Sequence, residues 1–185
     1  AAKSYLTVFS ESLHTELRGT NVKISALCPG FTRTEFHARG RMKMTALPKF
    51  MWLDSDMTFP EDVIVRLLEH KKKVACATYS KRVPPFHPTA FHSIDPVEPI
   101  DTTGHGLVQV RYTGFGCLLM RATIADEMPS PHFPLKWHAP SSTWHGEDMG
   151  FCDLLDHNEI KIWCDLDLSR EIGHLGQREY RVNQA

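Results

Sequence analysis

An apolar run, Phe50-Met51-Trp52-Leu53, leads straight into Asp54-Ser55-Asp56, and Pro60-Glu61-Asp62 stands four residues further on. Four bulky apolar side chains in a row suit a strand buried on both faces. Pro at a first helical turn, with acidic neighbours, predicts a helix over 61–70 whose buried side is Val63, Leu67 and Leu68. Strand, acidic turn and helix in that order predict an α/β fold. They also put two carboxylates at the carboxyl end of a strand, where an open parallel sheet offers its ligand crevice. Carboxylate oxygens are hard ligands that suit Mg2+ or Mn2+, and such an ion neutralises a diphosphate leaving group. The same triplet also suits a turn or cap ahead of the helix, and the triplet alone leaves both open.

Other segments extend the α/β pattern. Residues 2–18 carry Tyr5, Leu6, Phe9, Leu13 and Leu17 at helical spacing and stop at Gly19. Val22, Ile24 and Ala26 alternate as a short strand that Pro29-Gly30 breaks. Residues 74–79, 107–112, 117–120 and 160–166 read as strands, and 147–156 as a helix. Residues 84–103 hold five prolines without periodicity and read as a long loop. A second irregular stretch, 129–146, is rich in Pro, His and Trp, and the tail from Arg170 reads as loop.

With 185 residues, 42% hydrophobic and 23% charged, the chain is sized for one globular domain and is marginal for two. No run reaches the roughly 20 apolar residues of a membrane span. The five cysteines (Cys28, Cys76, Cys117, Cys152 and Cys164) are scattered, odd in number and lack any CxxC. They predict buried thiols, a reducing compartment and a cytoplasmic protein. Charge is uneven: residues 1–50 hold eight Lys and Arg against three Glu, a balance of +5, and the remainder is at −6. A break near residue 50 predicts two segments of different character. The basic residues are interspersed rather than clustered with aromatics, so no nucleic-acid partner is expected. The chain opens on Ala-Ala-Lys without Met and is read as a fragment or a fusion.

Five stretches carry a family resemblance in a fixed order. They are 50–60, the helix 61–70, Gly114-Phe-Gly-Cys-Leu-Leu-Met-Arg121, His145-Gly-Glu-Asp-Met-Gly-Phe-Cys152 and Gly173-His-Leu-Gly176. Together, residues 50–185 resemble the carboxyl two-thirds of a family 2-like, GT-A glycosyltransferase. The resemblance implies an incomplete GT-A-like (Rossmann-like) mixed sheet with flanking helices and long irregular loops. It implies transfer of a sugar from a nucleotide diphospho-sugar to an acceptor hydroxyl, with inversion and with Mn2+ or Mg2+ as cofactor. Asp54 and Asp56 would hold metal and diphosphate, and His174 would be a late metal ligand. Glu147 and Asp148 open a helix, whose dipole favours carboxylate charge, and Asp148 would be the catalytic base. Gly114 and Gly116 would admit the donor sugar or acceptor, or simply form a tight turn. Trp137, Trp144 and His145 would offer a stacking platform to a sugar ring, or pin their own loop. Asp165 and Asp167 repeat the acidic triplet but match nothing in the family pattern.

The first segment resembles something else. Lys3, the helix and strand after it, and Cys28-Pro-Gly-Phe-Thr-Arg-Thr-Glu-Phe36 resemble the carboxyl half of a short-chain dehydrogenase/reductase. The likeness implies Lys3 as catalytic lysine and Pro29, Gly30 and Thr34 in the turn that backs an NAD(P) nicotinamide. The family's tyrosine would precede residue 1, and a lone Lys cannot do the acid–base work of hydride transfer. The expected organisation is a dehydrogenase-like arm or remnant over 1–49 and a glycosyltransferase-like region over 50–185. The nucleoside-cradling strands of the latter are missing, so an incomplete enzyme is expected. Two other readings stand beside it: an NAD(P)-dependent dehydrogenase fragment, and a non-catalytic module that binds carbohydrate or a partner.

Overall fold

The computed structural model describes residues 49–139, 142–176 and 179–182. The expected helix 2–18, the strand at 22–26 and the dehydrogenase-like residues Lys3, Pro29, Gly30 and Thr34 lie outside the described residues. In chain order the first strands are β1 (Lys49–Leu53), β2 (Met57–Thr58), β3 (Val74–Cys76), β4 (Ala90–Ile94), β5 (Val97–Pro99), β6 (Leu107–Val110) and β7 (Tyr112–Thr113). They continue with β8 (Cys117–Arg121), β9 (Lys136–His138), β10 (Thr143–His145), β11 (Ile162–Asp165), β12 (Gly173–Leu175) and β13 (Glu179–Tyr180). Among the described residues four helices intervene: α1 (Val63–Glu69), α2 (Ile124–Glu127), α3 (Glu147–His157) and α4 (Leu166–Ser169).

The molecule is a mixed α/β structure, as expected. Five strands form its main sheet in the order β1-β8-β3-β11-β6. Within it β3 and β11 run parallel, while β1–β8, β8–β3 and β11–β6 are antiparallel. Strands β1, β3 and β11 therefore share one direction, and the turns that follow them gather at one edge of the sheet. Alternation along the strands divides the core in two. Val74, Cys76, Leu118, Met120, Ile162 and Cys164 face the layer of α3, which supplies Phe151, Cys152 and Leu155. Ala75, Ala77, Cys117 and Leu119 face the layer of α1 and α4, which supplies Val63, Leu67 and Leu168. Cys76, Cys117, Cys152 and Cys164 are buried free thiols.

Several elements differ from the sequence-based expectation. Strand β1 is half-buried along its whole length, at the edge of the described sheet and antiparallel to its neighbour. Its aromatic side is covered locally: Trp52 lies 5.6 Å from Phe115 and 6.4 Å from Phe151 (ring centroids), and Phe133 stacks on Phe151 at 5.1 Å. Helix α1 runs from Val63 to Glu69 rather than over 61–70, with Asp62 at its cap. Residues 84–103 are not all loop, because β4 and β5 form a hairpin that also pairs with β7. Its prolines sit where a missing N–H does no harm: Pro96 in the turn and Pro99 on the outer strand. Residues 129–146 contain a second hairpin, β9–β10, and the tail folds into β12 and β13 against β2. Among the described residues, no helix is long and apolar enough to cross a membrane.

Candidate functional site

The site is built where β1 ends. The Asp54 N–H donates to the Gly116 carbonyl (3.2 Å), and the Asp54 carbonyl accepts from Met57 N–H (3.3 Å), which turns the chain tightly into β2. Strand β12 pairs with β2, setting His174 opposite Met57, and Leu175 N–H donates to the Asp56 carbonyl (2.7 Å). His174 thereby reaches Asp56 across the chain, with Nε2 3.5 Å from Oδ2. Its Nδ1 lies 2.9 Å from the Ser80 carbonyl, an acceptor only, so Nδ1 carries a proton. Arg82 Nη1 donates to the same Asp56 Oδ2 (2.9 Å) and to the Leu175 carbonyl (3.1 Å).

Asp54 is the electrostatic centre of the group. Burial pushes its carboxyl above the ordinary range, and the charges of Asp56 and Asp148 push the same way, opposed by His174 and Arg82. Asp148 stands in the first turn of α3, half-buried, and its Oδ1 accepts the Met149 N–H (2.8 Å). Burial is the main cause that raises its carboxyl; the Met149 bond opposes the rise and the Glu147 charge adds to it. Glu147 itself points to solvent. Sequence reasoning named Asp54, Asp56, Asp148 and His174, and the fold brings these four together. It missed Arg82 and Tyr79.

Tyr79 explains the two glycines. A Cβ on Gly114 would lie 2.6 Å from Tyr79 Oη, and one on Gly116 2.5 Å from the ring. The space that Gly114 and Gly116 open is taken by this phenol, which accepts the Gly116 N–H (3.2 Å) and lies edge-on to His174 at 5.0 Å. Burial raises the phenol far above its usual range. A Gly-x-Gly facing a strand that ends in Tyr was the signal available. Arg82 left none, because the Lys-Arg-Val-Pro-Pro loop reads as any exposed turn.

The other expected contacts lie on the β9–β10 hairpin, where His145 remains close enough to Asp148 to act on it, lowering its carboxyl. Trp137 and Trp144 pair across the β9–β10 hairpin with centroids 5.5 Å apart, 50% and 66% exposed. His145 is on the opposite face, stacked on His138 at 4.4 Å, and His138 Nε2 lies 3.2 Å from Asp95. Asp165, the last residue of β11, caps α4 by accepting the Leu168 N–H, and Asp167 lies in the first turn of that helix.

Chemically, the set is mixed in charge. Its carboxylates suit a hard cation, and its guanidinium suits an oxyanion. Among the described residues, no three His, Cys, Asp or Glu side chains converge as a metal cage.

No family model matches the chain. An uncharacterized oxidoreductase of Myxococcus xanthus (strain DK1622) is 40% identical over 47 residues, which are 25% of this chain and 19% of that protein. The chain thus spans about a fifth of that relative's length. Among solved structures, the crystal structure of A197 from STIV aligns with a TM-score of 0.49 at 14% identity, covering 77% of this chain and 70% of that one. At that level of likeness no family or function is transferred.

Proposed function

We propose that residues 50–185 form part of a metal-dependent, inverting glycosyltransferase that moves a sugar from a nucleotide diphospho-sugar to an acceptor hydroxyl. One observation carries the reading: His174, brought in on β12, places Nε2 3.5 Å from Oδ2 of Asp56, in the acidic turn that follows β1. His174 supports a cation beside it. Its Nδ1–H is held by a backbone carbonyl, as in metal-binding histidines, which leaves Nε2 as the ring atom facing Asp56 Oδ2. Mg2+ and Mn2+ take few protein ligands and complete their shell with water and substrate phosphates, so a cage of three side chains is not required. Once bound, the ion would neutralise the departing diphosphate. Asp148 would accept the acceptor's hydroxyl proton, a role suited to a carboxyl that burial holds above its ordinary range.

The test is Mn2+ binding followed by electron paramagnetic resonance, with UDP or GDP present. The wild type is expected to retain the ion and Asp56→Ala to lose it; a wild type that binds neither ion nor nucleotide sinks the reading. Asp148→Asn should keep Mn2+ and nucleotide yet lower any transfer or donor hydrolysis by about 100-fold or more.

A second reading is favoured by the sequence match, whose 47 residues are close to the length of the dehydrogenase-like segment 1–49. It makes the chain part of an NAD(P)-dependent short-chain dehydrogenase. A saturable change in NADPH or NADH fluorescence on titration supports it, and no change with either nucleotide removes it.

A further inference from the structure

Arg82 sits in the loop between β3 and β4, and that loop is clamped at its neck. Ser80 pairs with Pro88 in an isolated bridge, Lys81 N–H donates to the His87 carbonyl (3.0 Å), and Ser80 Oγ donates to the Phe86 carbonyl (3.1 Å). From this closed loop Arg82 crosses to Asp56 Oδ2, which His174 Nε2 also approaches, at 3.5 Å. Three segments distant in sequence therefore converge on one carboxylate oxygen. A divalent cation arriving there meets a guanidinium already bonded to it, and cations about 4 Å apart repel. The pair is weakly held, since both partners are close to half exposed (46% and 42%).

We propose, resting on the cation reading above, that Arg82 is a displaceable counter-ion for Asp56 that becomes a diphosphate-binding residue. With no ligand present, it neutralises Asp56 and ties loop 81–87 to β12. When a divalent cation takes Oδ2, the guanidinium is released beside the ion. Its planar fork of N–H donors then matches the oxygens of a bound diphosphate. One residue thus links two ligands: the cation frees the group that holds the anion, so each should bind more tightly in the presence of the other.

The experiment uses the full chain with Arg82→Gln and Arg82→Lys. Mn2+ affinity is read by electron paramagnetic resonance without nucleotide, and inorganic pyrophosphate affinity by calorimetry at saturating Mn2+. Arg82→Gln should bind Mn2+ about two- to fivefold tighter, as expected on removing an exposed competing ion pair. The same variant should bind pyrophosphate about tenfold more weakly. Arg82→Lys keeps a point charge but not the fork; its Mn2+ affinity should stay near wild type while pyrophosphate recovers only in part. Opposite signs for the two ligands cannot come from simple loosening of the loop. Unchanged or weaker Mn2+ binding by a folded Arg82→Gln, with the wild type binding both ligands, overturns this role and leaves the cation site standing. A wild type that binds neither ligand removes the cation site and this proposal with it.

Discussion

At Asp165 a single carboxylate serves two elements. Oδ1 accepts the Leu168 N–H that starts α4, and Oδ2 accepts from His70 Nε2 at the end of α1 (both 2.8 Å). With Asp165 5% exposed, these bonds are made out of water, where an abandoned donor is costly. Asp165→Ala should therefore lower stability by roughly 2–3 kcal/mol, a lost cap plus a lost buried bond, read by urea unfolding. A loss under about 0.5 kcal/mol would mean that water replaces both. The Gly116–Tyr79 contact gives a second residue-scale test. Gly116→Ala should cost about 1–3 kcal/mol, since the added methyl drives into a ring fixed between Gly116 and His174. The double variant Gly116→Ala, Tyr79→Leu should recover part of that loss; no recovery would show that backbone conformation, not the ring, selects glycine there. Asp54 and Asp56 were legible in sequence because they form a triplet after an apolar run. Arg82 was not, because its partner lies 26 positions away and no local pattern links them.

Loop 101–106 shows how an element without regular structure is held. Asp167 at the start of α4 accepts from Gly106 N–H (2.8 Å) and Arg170 Nη1 (2.8 Å) and pairs with His105 Nδ1 (2.7 Å). Arg170 also reaches the carbonyls of Thr103 and Gly104, and Asp101 accepts the Thr103 N–H (2.8 Å). The Gly106 N–H and the His105 and Arg170 contacts hold the Asp167 carboxyl at about 2. A carboxyl depressed on folding adds stability above its unfolded value, about 4, and that contribution fades as pH falls toward 2. Wild-type stability should thus decline through this window, and Asp167→Asn should decline less steeply in acid melts; parallel curves would sink the assignment. The missed hairpins are a matter of element length and proline. Strands β3, β8 and β11 announce themselves by unbroken apolar runs, and β4–β5 hides because Pro88 precedes it and Pro96 and Pro99 fall within it. Strands of two or three residues, such as β2, β9 and β12, are too short for periodicity to register.

On the scale of the whole molecule, the α/β class was legible because apolar runs and helical stripes alternate, but strand order was not. Order follows from which faces meet in three dimensions, and that decides whether Asp54 and His174 are neighbours. They attach to different sheets: Asp54 directly follows β1 of the five-stranded sheet, and His174 lies in β12 of the three-stranded one. The Leu175–Asp56 backbone bond, the His174–Asp56 contact and the Arg82 bridge join the two sheets at this point. A ligand seated on Asp56 and His174 would fasten one sheet to the other, so its effect should spread beyond the site. At about 100 times its dissociation constant a ligand adds roughly 2.7 kcal/mol, or about 5–10 °C in Tm for a chain of this size. Mn2+ with UDP should raise Tm by that order in the wild type and leave Asp56→Ala unmoved. Amide exchange should slow at Met57 and Leu175, which bracket the joint, more than at Ile162 in the sheet interior. Slower exchange without a higher Tm would mean that the three-stranded sheet opens on its own, and that the two sheets do not unfold as one cooperative unit.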